Sequence, residues 1–150
     1  MDSRDKLLPT LHEVQEGSGA HYLPASELGK LRRRFGLSRA ELRGVASYYS
    51  LLSLEPRGRH VIRLCVSPVC RMIGSLDLLA VIKKELGVGI GGTTADGLFT
   101  LEETQCLGRC AGAPAMMIDD RGFERLDEAR VKRILEAFRK GGVEADVHAP

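Results

Sequence analysis

The four cysteines of the chain fall in two close pairs. Cys65 and Cys70 are separated by four residues, Cys106 and Cys110 by three, and 35 residues lie between the pairs. A fold that brings the pairs together makes a four-thiolate site, and four thiolates hold either an iron–sulfur cluster or a structural zinc ion. Zinc sites favour the tighter Cys-x2-Cys knuckle, because both sulfurs must meet one small tetrahedral ion. The wider bites of Cys65-Val-Ser-Pro-Val-Cys70 and Cys106-Leu-Gly-Arg-Cys110 suit a planar Fe2S2 rhomb. Zinc has no redox chemistry, so the two readings also separate a structural module from an electron carrier.

The rest of the composition narrows the setting. The 150 residues are 43% hydrophobic and 28% charged, ordinary for one or two small globular units. No run approaches the roughly 18 apolar residues of a membrane span, and Met1-Asp2-Ser3-Arg4-Asp5-Lys6 lacks a hydrophobic signal core. The expectation is a cytoplasmic chain without direct membrane insertion. In a reducing compartment the cysteines do not read as structural disulfides, and the Cys-x-x-Cys of a thiol–disulfide oxidoreductase is missing.

The pattern of apolar residues changes near Pro56, predicting an N-terminal helical domain over 1–56 and a second domain over 57–150. Leu7, Leu11 and Val14 share one face of a first helix that ends over Gln15–Gly19. A second helix starts at Pro24 and carries Leu28, Leu31 and Phe35. The third opens on the capping box Ser38-Arg39-Ala40-Glu41 and continues through Leu42, Val45, Tyr49 and Leu52. Three helices with one apolar face each predict a small bundle. Downstream, His60–Val66 has strand alternation and runs into the first cysteine pair. A helix over Ser75–Glu85 stops at Gly87, and a strand around Leu98–Leu101 precedes the second pair. Pro114–Ile118 reads as a strand, Asp119–Gly122 as its turn and Phe123–Arg125 as its hairpin partner. A last helix, capped by Asp127, presents Val131, Ile134, Leu135 and Phe138. That element order is a thioredoxin-like α/β layer, so the chain as a whole reads as α/β.

Both cysteine pairs then lie on loops at strand ends, where backbone N–H groups, Gly108, Ala111 and Gly112 leave room for donors to sulfur. Arg71 and Arg109 adjoin candidate ligands, where they either add positive charge or simply point to solvent, as surface charges often do. The passage from Gly87 to Gly92 follows a helix and matches neither a dinucleotide fingerprint nor a P-loop, so it reads as a flexible connector. Between residues 30 and 63 basic residues far outnumber acidic ones. Without interleaved stacking aromatics this suits an acidic protein partner or plain solvation better than nucleic acid. His12, His21, His60 and His148 show no ligand spacing. Met116 and Met117 read as core filler, and core packing is the default for Tyr48 and Tyr49.

Cys65, Cys70, Cys106 and Cys110, together with Gly91-Gly92-Thr93-Thr94 before the second pair and Leu107-Gly108-Arg109-Cys110 running on to Pro114, resemble a known family. It is the thioredoxin-like [2Fe-2S] subunit family of complex I, the NADH-quinone oxidoreductase, shared with NAD-linked hydrogenases and formate dehydrogenases. Leu8-Pro9, Leu11-His12, Val14-Gln15 and Tyr48-Tyr49-Ser50 extend the resemblance over roughly residues 6 to 140. It implies one [2Fe-2S] cluster per chain, with Cys65 and Cys70 on one iron and Cys106 and Cys110 on the other. It also implies docking on a flavoprotein that binds FMN and NADH and carries a [4Fe-4S] cluster, within an assembly of further iron–sulfur subunits. Hydride chemistry would belong to that partner, and this chain would transfer electrons. Tyr48, Arg109 and the Gly17-Ser18-Gly19 passage with His21 depart from the family pattern, none of them at a ligand.

Overall fold

Helical spacing at the start of the chain and strand alternation after residue 59 translate directly into two kinds of structure. The computed structural model describes residues 3–141, which divide into two compact units between Arg59 and His60.

The first unit holds α1 (Leu7–Gly17), α2 (Ala25–Phe35) and α3 (Arg39–Tyr48). Pairs four residues apart, Leu7 with Leu11, Leu31 with Phe35 and Leu42 with Ala46, put one apolar stripe on each helix, and the stripes share a core with Leu23, Leu37 and Leu52. The capping box forms as expected: the Ser38 hydroxyl accepts the Glu41 N–H at 3.1 Å, and the Glu41 carboxylate accepts the Ser38 N–H at 2.8 Å. Pro24 caps α2 instead of entering its first turn. α1 ends at Gly17, within the expected Gln15–Gly19 passage, so Gln15 is still helical. It is buried, its Nε2 donating to the Leu51 carbonyl at 2.9 Å and its Oε1 accepting the Ser53 N–H at 2.8 Å, so a polar side chain inside the helix finds both partners in a distant loop.

The tyrosines correct the sequence expectation. The helix stops at Tyr48, and Tyr49 turns to extended backbone. Leu52 regains the core through a turn in which its N–H donates to the Tyr49 carbonyl at 2.9 Å. Tyr48 is 81% and Tyr49 40% exposed, stacked edge to face with centroids 5.2 Å apart. Neither is a core residue.

The second unit is built on a four-stranded sheet of order β2-β1-β3-β4, with β1 His60–Cys65, β2 Phe99–Thr104, β3 Met116–Ile118 and β4 Arg121–Phe123. β1 and β2 are parallel, and β3 and β4 are antiparallel to their neighbours. The parallel pair is joined through α4 (Pro68–Met72) and α5 (Ser75–Leu86), as a parallel crossover requires, and α6 (Glu128–Arg139) follows the hairpin. Ile62 and Leu64 of β1 share one core with Leu78 and Ile82 of α5, Val131 and Leu135 of α6, and Met116. Met117, on the other side of the pleat, is only half-buried. Gly87 ends α5 with φ 67, a left-handed value at which a Cβ is costly.

The glycine-rich passage is not a free connector. The Gly91 N–H donates to the Leu101 carbonyl at 2.6 Å, the Leu101 N–H to the Gly92 carbonyl at 3.0 Å, and the Thr93 and Thr100 hydroxyls lie 2.7 Å apart. It covers the outer edge of β2, whose backbone groups would otherwise be unpaired. The hairpin turn is tighter than expected, with Asp119 at φ 53 and Arg121 already in β4. No helix among the described residues is long and apolar enough to cross a membrane.

Candidate metal centre

Parallel pairing of β1 and β2 carries both cysteine pairs to the same end of the sheet. Cys65 is the last residue of β1 and pairs in register with Thr104, the last residue of β2, and Cys106 follows two residues later. The Val66 N–H donates to the Thr104 carbonyl at 2.9 Å, and the Cys65 N–H to the Ala115 carbonyl at 3.0 Å. The first pair is therefore anchored between β2 and the segment leading into β3.

Cys70 is not on a loop. Ser67 sets the N-terminus of α4 and Pro68 occupies its first position, where the fixed φ suits a helix and no N–H is lost. Cys110 opens a single turn of tight helix over Cys110–Gly112, and Cys106 lies in the loop after β2. All four thiols are free. Cys65 and Cys70 are each 1% exposed, whereas Cys106 and Cys110 are open to solvent.

Cys106 Sγ and Cys110 Sγ lie 3.6 Å apart. Two thiolates on one tetrahedral metal, each bond about 2.3 Å, sit about 3.8 Å apart, so this separation suits a shared metal. Among the described residues, no three His, Cys, Asp or Glu side chains gather closely enough to share a single ion. The sulfurs are presented as two bites. The Leu107 N–H, between the cysteines of the second pair, is among the groups that lower the Cys65 pKa.

Donors converge on the sulfurs. The Ser67 hydroxyl is 3.1 Å from Cys65 Sγ, the Gly108 N–H donates to Cys106 Sγ at 3.3 Å, and the Ala115 N–H reaches the Cys70 sulfur. Burial opposes the Cys65 thiolate, yet the Ser67 hydroxyl and N–H, the Cys70 thiol and the Leu107 N–H outweigh it and bring its pKa below the usual thiol value. Burial raises that of Cys70, as does its hydrogen bond with Cys65. Cys110 is raised chiefly by its hydrogen bond with Cys106 and by that neighbour's negative charge. Four thiolates here repel one another, and bound cations relieve that repulsion.

Of the two readings of the flanking arginines, Arg71 follows the solvent one and Arg109 follows neither. Arg71 is exposed. Arg109 is no free cation: its Nη1 lies 2.6 Å from Glu124 Oε1, so a carboxylate cancels the charge expected beside the ligands. Sequence reasoning passed over Ser67, Glu124 and the amides of Leu107 and Ala115. A Ser-Pro pair between two cysteines signals a helix start and could have pointed to Ser67, whereas Glu124 has no local signature. His60 lies at the opposite end of β1, its Nδ1 2.7 Å from Asp119 Oδ2, and takes no part in the site. His148 lies outside the described residues.

Residues 1–139 match the sequence profile of the thioredoxin-like [2Fe-2S] ferredoxin family. The chain is 39% identical over 137 residues to the E subunit of the NADH-quinone oxidoreductase of Pseudomonas aeruginosa, covering 91% of this chain and 81% of that protein. It is 37% identical over 138 residues to the E 2 subunit of the NADH-quinone oxidoreductase of Rhizobium meliloti, covering 92% and 81%. Among solved structures, an NAD+-reducing [NiFe]-hydrogenase in the air-oxidised state superposes with a TM-score of 0.77 and 27% identity over 91% of this chain. This chain spans 23% of the hydrogenase chain it matches.

Proposed function

Because the chain belongs to the thioredoxin-like [2Fe-2S] ferredoxin family, we propose that it is an electron-transfer subunit whose Cys65, Cys70, Cys106 and Cys110 hold its [2Fe-2S] cluster. The observation that carries the proposal is the pairing of two thiol bites with inward-pointing donors. Cys65 and Cys70 would hold one iron, and Cys106 and Cys110, with sulfurs 3.6 Å apart, the other. A bound [2Fe-2S] cluster supplies one-electron chemistry. The protein's own groups fit that charge change: the Ser67 hydroxyl and the amides of Ser67, Leu107, Gly108 and Ala115 point at sulfur, which favours the more negative, reduced state. Burial of Cys65 and Cys70 keeps water from one side, and exposure of Cys106 and Cys110 opens the other to a partner.

That partner, in this proposal, is an NADH-oxidising flavoprotein that binds FMN and carries a [4Fe-4S] cluster, in an assembly with further iron–sulfur subunits. Hydride transfer from NADH takes place on the partner, and the chain described here exchanges single electrons with its flavin. An N-terminal helical bundle over 1–56 supplies docking surface beyond what the cluster domain over 57–150 needs. The exposed Tyr48 and Tyr49 suit such a contact, since tyrosine buries a ring while keeping its hydroxyl solvated. The chain works in the cytoplasm, at the cytoplasmic face of a membrane-attached complex.

The test is to purify the tagged chain anaerobically with its bound partners and add NADH. Co-purification of an FMN protein, with NADH bleaching the visible absorption of this chain's cluster, supports the proposal. A cluster-loaded chain that recovers no flavoprotein and is bleached by dithionite but not NADH overturns the partner assignment and points to a free-standing carrier.

A further inference from the structure

We propose that Arg109 and Glu124 form an ion-pair latch that positions the Cys106–Cys110 loop on the β3–β4 hairpin and cancels the arginine's charge beside the cluster site. The proposal rests on the cluster assignment above. Arg109 directly precedes Cys110, and Glu124 directly follows β4; Nη1 of one lies 2.6 Å from Oε1 of the other. The main chain repeats the tie: the Gly112 N–H donates to the Arg109 carbonyl at 3.0 Å, and the Arg125 N–H to the Gly112 carbonyl at 2.7 Å.

Two glycines make room for the latch. A Cβ at Gly122 would collide with the Arg109 guanidinium, and a Cβ at Gly112 with the Glu124 side chain. Neither glycine takes a positive φ, so what each offers is close approach: at Gly112 a Cβ would meet the Glu124 Cβ as well as its carboxylate, while at Gly122 it would displace the flexible end of Arg109 from its seat. Arg109 and Glu124 therefore lie directly on the backbone of the opposite segment, each over the other's glycine. Their side chains remain 45% and 38% exposed, and an exposed pair holding long side chains by charge alone contributes little. The glycine seats restrict both side chains and make the pairing specific.

The consequence is electrostatic as well as mechanical. An unpaired arginine next to Cys110 favours the more negative, reduced cluster and raises its potential, and an unpaired glutamate does the opposite. Paired, the two cancel. Removing one partner moves the potential one way, removing the other moves it the opposite way, and a merely structural contact has no such sign reversal.

The experiment uses the full chain and its Arg109→Gln, Glu124→Gln and double variants. The reconstituted proteins are titrated by EPR against potential, and the cluster-free chains are alkylated at Cys110 with iodoacetamide. The latch predicts a raised potential for Glu124→Gln, a lowered one for Arg109→Gln and a value near the parent for the double variant. It also predicts Cys110 alkylation roughly two- to fivefold faster in Glu124→Gln, where loop release and the unpaired arginine both favour reaction of the thiolate, and a smaller change in Arg109→Gln, where the unpaired glutamate opposes it. Potentials that move in the same direction or not at all, with unchanged alkylation, overturn it. A parent chain that takes up no iron and sulfide defeats the cluster assignment instead, and the alkylation rates then decide the latch on their own.

Discussion

Ser67 Oγ lies 3.1 Å from Cys65 Sγ, and the hydroxyl that could cap α4 is given to the sulfur instead, since Ser67 makes no side-chain cap bond. Ser67 itself is buried, 5% exposed. A donor to a ligand sulfur stabilises the reduced cluster. Ser67→Ala is therefore expected to lower the reduction potential by about 40 mV, one ordinary hydrogen bond of about 1 kcal/mol converted at about 59 mV per tenfold for one electron. An EPR-monitored redox titration measures it, and an unchanged or raised potential would show that the hydroxyl does not act on the cluster.

Cys106→Ser removes one half of the 3.6 Å bite and replaces a thiolate by a poor iron ligand. Cluster occupancy is expected to fall to less than half, while α1, α2 and α3, whose core is separate, keep their helicity. Iron per chain and far-UV circular dichroism on the same sample check both. Full occupancy with the parent spectrum would remove Cys106 from the ligand set.

Asp119 ties the start of β1 to the hairpin turn. Its Oδ1 accepts the Val61 N–H at 2.9 Å and its Oδ2 lies 2.7 Å from His60 Nδ1, while its backbone holds φ 53, which aspartate tolerates better than alanine. Asp119→Ala is expected to cost about 2 kcal/mol through two lost hydrogen bonds, read from the urea midpoint. The Asp119→Asn variant should fall between the two, because its amide oxygen can still accept from Val61. A midpoint for Asp119→Ala within error of the parent would show the clamp to be idle.

Acid should weaken the fold through particular carboxylates. The Ser38 N–H and then the Ser38 hydroxyl hold Glu41 below the ordinary glutamate value, and Lys132 and Lys140 do the same for Glu128 and Glu136. A carboxyl whose folded pKa is lowered contributes stability that is present above its unfolded value and lost as pH falls through the folded one. The melting temperature is thus expected to decline as pH drops below the ordinary glutamate range. Glu41→Gln should melt lower than the parent at neutral pH and lose less on acidification. An identical acid limb in the two proteins would separate the capping box from the pH dependence.

Much of this architecture is legible in the sequence because local rules decide it. Spacing four residues apart placed Leu31 with Phe35 on α2, the Ser38–Glu41 pair marked the start of α3, and alternation marked β1 up to Cys65. What could not be read depends on contacts between distant segments. Gln15 is satisfied by residues 51–53, the Gly87–Gly92 passage is ordered by β2, and Arg109 is neutralised by Glu124, fifteen residues away. Tyr49 fits the helical stripe and Tyr48 lies off it, but the chain turns there and Leu52 returns to the core beyond the helix end. Cysteine spacing marked four candidate ligands. Which sulfurs are buried, and which amides face them, follows from the parallel pairing of β1 with β2.

The most direct test of the cluster assignment is iron and acid-labile sulfide per chain, with EPR before and after dithionite, on protein purified without oxygen. Two irons, two sulfides and a rhombic S = 1/2 signal that appears only on reduction are the predicted result, in keeping with a one-electron [2Fe-2S] centre. Stoichiometric zinc without sulfide, persisting after attempted cluster reconstitution, would contradict it and leave a zinc-held docking module.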